Sequence, residues 1–100
     1  MRDLREGVHL GLLVADLSLP ECFSLKEKRS VVRGVIDALR HAREVSVAEV
    51  GCHDAHTRAR IAVACVGADR AHVERLLDRA LRTIESREGL VLNDAERSWC

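Results

Sequence analysis

Aromatic side chains are nearly missing from this sequence: 100 residues contain only Phe23 and Trp99, and no tyrosine. Proline is as scarce, with Pro20 alone, and no Pro- or Gly-rich linker, internal repeat or low-complexity segment divides the chain. The four cysteines, Cys22, Cys52, Cys65 and Cys100, include no C-x-x-C pair, so the sequence carries no dithiol redox or metallochaperone motif. No apolar run approaches the ~20 residues needed to span a bilayer. The opening MRDLREG is charged and has no apolar core, so no signal peptide is expected. These absences lead us to expect a cytoplasmic protein with reduced thiols and no membrane partner. Charge of one sign is also lacking in excess. Sixteen Lys and Arg match sixteen Asp and Glu, so net charge gives no argument for nucleic acid, and only a local patch could.

What is present is a globular composition of one-domain length, 47% apolar and rich in Ala, Val and Leu. One domain is expected over residues 1–100, with its core at about 7–96. VHLGLLVADL (8–17) is apolar at both alternate sets of positions, the pattern of a central strand. A loop through Pro20 follows. SLKE (24–27) then has the form of a capping box, Ser24 accepting from the Glu27 amide, and opens a helix predicted to reach about His41. Leu25, Val32, Ile36 and Leu39, with Val35 beside them, form its apolar stripe. EVSVAEVGC (44–52) and RARIAVACVG (58–67) read as two strands joined tightly enough for an antiparallel hairpin. Asp69 caps a second helix to about Arg87, with Val73, Leu76, Leu77, Ala80, Leu81 and Ile84 inward. Gly89 stops it, and LVLND (90–94) reads as a short last strand before a tail ending in Trp99.

The order βαββαβ, with right-handed crossovers, places both helices on one face of a four-stranded, mostly antiparallel sheet. This is an α+β, ferredoxin-like arrangement. Its first and third strands are central, as their two-sided apolar character requires.

Several segments resemble the YlxP-like family of small bacterial proteins, a domain-of-unknown-function family. They are SLKEKR (24–29), VSVAEV (45–50), RARIAVACVG (58–67) and HVERLLDRAL (72–81), and the likeness covers residues 7 to about 96. The resemblance implies a ferredoxin-like fold, dimers, and genes placed near those for translation initiation and ribosome assembly. It implies no established activity. Where relatives carry an Asp-Leu-Trp-like segment in the hairpin, this chain has Asp54, Ala55 and His56, so a contact made by that bulky pair does not carry over.

The first helix opens with cations, although a helix N-terminus favours anions. Lys26, Arg29, Arg33 and Arg40 fall on one stripe beside the apolar one, and Lys28 falls nearer its border. A phosphate-bearing partner, such as ribosomal RNA or a ribonucleoprotein, would reward that arrangement. The alternative is a solvated face whose long stems lie over the core edge, with Glu27 and Asp37 as local partners. Central strands without aromatics exclude the mode in which bases stack on the sheet.

The sheet face opposite the helices is expected to show small and apolar residues. The candidates are Gly11, Leu13, Ala15, Ala62, Ala64 and Val66, or the alternate set, rimmed by Arg58 and Arg60. A second subunit packing there would cover them. The alternative is an edge-to-edge dimer, with the tail around Trp99 over this face.

Cys52, His53 and His56 are metal-ligand types within one hairpin, but no second pair completes a site, and no metal or cofactor is expected. No glycine-rich phosphate loop, nucleophile with a base, or small-molecule site stands out. SLPECFS (18–24) lacks the Arg of an acylphosphatase-like loop. The expected function is a binding module rather than an enzyme, directed at RNA through the first helix or at a protein partner through the sheet.

Overall fold

The computed structural model describes residues 3–100. Six elements follow in the order β1 (His9–Ser18), α1 (Leu25–Arg40), β2 (Val45–Gly51), β3 (Arg58–Gly67), α2 (Arg70–Glu85) and β4 (Val91–Trp99). They form one four-stranded sheet of order β2-β3-β1-β4, antiparallel at every pairing. β1 and β3 are central and pair along their whole length, from His9 opposite Gly67 to Ser18 opposite Arg58. Their two-sided apolar sequence supplies the core on the face under the helices and leaves an apolar strip on the other face.

Both helices lie on one sheet face, α1 beside β2 and α2 against β1 and β3. Both begin as the sequence predicts. Ser24 has extended backbone and its Oγ accepts from the Glu27 amide at 3.1 Å. Glu27 reaches back to the Phe23 amide at 2.8 Å. Asp69 Oδ1 accepts from the Ala71 amide at 3.0 Å at the head of α2. Beyond α2, Gly89 adopts φ +87°, a turn that a side chain would strain.

The core lies between the helices and the covered sheet face. Leu13, Leu17, Ile61 and Val63 come from the central strands, Val35 and Leu39 from α1, and Val73, Leu77 and Ile84 from α2, all buried.

β4 is longer than the sequence suggests, nine residues instead of a short run at 90–94. It is an edge strand with only one covered face, so polar Asn93, Asp94, Glu96 and Ser98 occur along it without breaking it. Trp99 ends it on the helix side, opposite Gly11. The tail therefore does not cover the open face. A Cβ on Gly11 would come within 2.8 Å of Leu77 Cδ1 and 3.2 Å of the Trp99 ring. Glycine at this point lets the indole and α2 approach the sheet.

Candidate nucleic-acid interface

The first two turns of α1 divide their cations between two sides. A residue advances about 100° around a helix, so Lys28 stands about 200° from Lys26. Lys26, Arg29, Arg33 and Arg40 are all exposed. Lys28 is 2% exposed and belongs to the inner face with Val32, Val35 and Leu39. This corrects the sequence-based stripe: Lys28 is removed from any surface that a partner could touch.

The buried ammonium has defined partners. Lys28 Nζ donates to the carbonyl oxygens of Cys52 and of Ala55, the latter at 2.7 Å. It also lies 3.3 Å from Glu49 Oε2, too far off line for a hydrogen bond, so that contact is one of charge. Two of its donors thus meet carbonyls, and the nearby carboxylate offsets the charge, which together make a buried cation tolerable. Cys52 has φ +60°, the left-handed region that a non-glycine residue seldom holds. The bond to its carbonyl helps keep the loop in that form. Lys28 thereby ties the head of α1 to the β2–β3 loop. This pairing was readable in principle: Glu49 shares the inward-facing set of β2 with Val45 and Val47, and a charge there calls for a partner inside.

The outer side differs. Among the described residues, Lys26, Arg29 and Arg33 make no ion pair or side-chain hydrogen bond. Arg40 reaches the edge of β2, donating to the Val47 carbonyl at 3.4 Å. A shallow groove between this side of α1 and β2 is lined by Arg29, Arg33, Ile36, Asp37, Arg40 and Glu49. The chain has no net charge, yet several of its acids lie elsewhere. Asp16, Asp94 and Glu96 gather on the opposite sheet face around a hollow of about 360 Å³ shared with Arg60.

That open face corrects half of the expected set. On β3, Arg58, Arg60, Ala62, Ala64 and Val66 do lie on it. On β1 the residues are Leu10, Leu12, Val14 and Asp16, opposite Val66, Ala64, Ala62 and Arg60 respectively. Gly11, Leu13 and Ala15 instead face the helices and are buried. Both alternate sets of β1 are apolar, so alternation alone gave no direction. Arg58 donates to Asp16 Oδ2 at 2.7 Å, while Asp16 Oδ1 is shielded from solvent without a partner.

In the β2–β3 loop, Cys52 is half-buried and His53 and His56 are exposed. Among the described residues, no three His, Cys, Asp or Glu side chains are grouped to share a metal ion. No helix there is long and apolar enough to cross a membrane. Cys22 and Cys65 are buried thiols, and burial, aided by the nearby carboxylates of Glu27 and Glu21 for Cys22 and of Glu44 for Cys65, pushes both up from the ordinary thiol value. Neither has the environment of an activated nucleophile.

Comparison with known proteins adds the family and the fold. A Bacillus subtilis protein described as "Uncharacterized protein YlxP" is 30% identical over 77 residues, covering 77% of this chain and 84% of its own. Among solved structures, the de novo designed protein Foldit4 matches with TM-score 0.54 at 17% identity, over 92% of this chain and 96% of its own. A mutant of SnoaB, a cofactor-independent oxygenase from Streptomyces nogalater, matches with TM-score 0.54 at 12% identity, over 91% and 90%. At those identities the two likenesses concern the fold alone. The model of the family described as "Protein of unknown function (DUF503)" matches residues 10–97, and the chain belongs to that family.

Proposed function

We propose that this protein is a non-enzymatic binding module that holds structured RNA, free or within a ribonucleoprotein such as the ribosome, through the outer side of α1. One observation supports this reading above others: Lys26, Arg29 and Arg33 stand exposed and unpaired on a single stripe, in a chain whose total charge is zero. Lys26 sits in the first turn, where the helix dipole disfavours it by a few tenths of a kcal/mol. Stability does not call for that placement, whereas a phosphate backbone does. A cytoplasmic site of action follows from such a partner.

The test is binding of a fluorescently labelled RNA hairpin across a salt titration. Three phosphate contacts give a log–log slope of about −2 to −3. Lys26→Gln, Arg29→Gln and Arg33→Gln together should weaken binding and flatten the slope by up to about one unit per lost contact. Binding that ignores salt, or no binding at all, overturns the reading.

A second reading concerns assembly. Leu10, Leu12 and Val14 face Val66, Ala64 and Ala62 across the open sheet, and a second copy laid on that face would take this apolar strip out of water. Light scattering at micromolar concentration tests it: the homodimer has twice the 11.1 kDa chain mass, and a clean monomer removes it. A dimer without RNA binding would favour a protein-interaction module.

A further inference from the structure

Phe23 contributes no packing to the fold. It is 81% exposed, more than any other large apolar residue described. An apolar residue just before a helix cap ordinarily packs against the fourth residue of the helix. Counted from the Ser24 cap, the fourth residue is Lys28, and Lys28 is turned inward onto the β2–β3 loop. The staple is therefore not made, and the ring is left in water on a fixed backbone, its amide held by Glu27 Oε2 at 2.8 Å.

The position is at the head of the cation stripe. Lys26 and Arg29 follow three and six residues later in the chain. The chain's other aromatic is not free in this way. Trp99 is half-buried beside Gly11, and the Arg70 guanidinium lies over its ring at 4.2 Å. An exposed ring three residues ahead of the first unpaired cation in the chain suits a nucleic-acid strand, which offers a stacking face and a charged backbone together.

We propose that Phe23 stacks on an unpaired base of an RNA strand whose phosphates run along Lys26, Arg29 and Arg33. This rests on the RNA reading of α1 and narrows it. A base inside a duplex is already stacked on both sides, so the segment at the head of α1 is a single-stranded loop or end.

The test uses the full chain with two probes: a labelled single-stranded oligouridylate, and a blunt duplex of equal phosphate count. Phe23→Ala should bind the single strand about ten-fold more weakly, the scale of one lost stack. It should bind the duplex as the parent does, with an unchanged salt slope and unchanged thermal midpoint. Phe23→Trp should keep the affinity, and its added indole emission should be quenched by the strand.

Equal affinity of Phe23→Ala and parent for the strand, with the cation variant weakened, overturns the stack and leaves the RNA reading standing. Equal losses on strand and duplex, or a lowered thermal midpoint, also overturn it, because the ring would then serve backbone contact or the fold. If the parent binds neither these probes nor the hairpin RNA, both readings fall together.

Discussion

Lys26 and Lys28 stand two residues apart on one helix and have opposite surroundings. Lys26 is exposed and makes no ion pair, while Lys28 is buried on two carbonyls and a carboxylate. A run of like charges at a helix start is therefore not one feature. Helical geometry separates it into an inner part that belongs to the fold and an outer part that the fold does not use. The same division runs through β1, where Gly11, Leu13 and Ala15 pack beneath the helices and Leu10, Leu12 and Val14 do not.

The largest loss of stability is expected at Lys28. Lys28→Met should lower unfolding free energy by about 2–4 kcal/mol, because it leaves the Cys52 and Ala55 carbonyls without their donor and Glu49 without its countercharge. Urea denaturation measures this. A variant within about 0.5 kcal/mol of the parent would mean that the ammonium is replaceable by water, and the inner–outer distinction would lose its basis.

Gly11→Ala tests the inner side of β1 in the same way. The added methyl meets Leu77, Val73 and Trp99 at 2.8, 3.0 and 3.2 Å. A loss of about 1–3 kcal/mol is expected from overpacking, with Trp99 emission shifted as the ring is displaced. An unchanged midpoint would show that the approach of α2 is loose.

Ser24→Ala removes the cap that both sides of α1 share, and should lower stability by about 1 kcal/mol. An unmoved midpoint would put the helix start elsewhere.

The buried thiols sharpen the contrast chemically. Folding raises the values of Cys22 and Cys65 from 9.0, so the native state holds these protons more firmly than the unfolded one. Their contribution is complete below that pH and declines as pH climbs from there through the raised native values. Exposed Cys100 should react with a thiol reagent in the native protein, while Cys22 and Cys65 should react only on unfolding. Fast native labelling of all four would contradict the inner placement.

The fold is legible in the sequence because its signals agree with one another. The Ser24 and Asp69 caps, the two-sided apolar character of β1 and β3, and the short β2–β3 connection all demand one topology. Three things are not legible. The direction of β1 is hidden because both of its alternate sets are apolar, and only the close approach of Trp99 and Leu77 to Gly11 decides it. The full length of β4 is hidden because a one-sided edge strand needs few apolar residues. Lys28 reads as bordering the stripe although its angle puts it inside. Its partners, two loop carbonyls, have no sequence signature, and Glu49 alone hints at them. Phe23 stands out in the sequence only as one of two aromatics, because its exposure depends on where Lys28 goes.

The outer side has the smallest expected effect on stability and the largest on binding, and this opposition is the most direct test. Thermal unfolding and co-sedimentation with ribosomal subunits are compared for the parent and for the variant carrying Lys26→Gln, Arg29→Gln and Arg33→Gln. An outer face reserved for phosphate predicts a midpoint unchanged or raised, with the gain limited to a few tenths of a kcal/mol from relieving Lys26 of the helix dipole, together with loss of co-sedimentation. A lowered midpoint with co-sedimentation intact would contradict it, showing that these side chains serve the fold as Lys28 does.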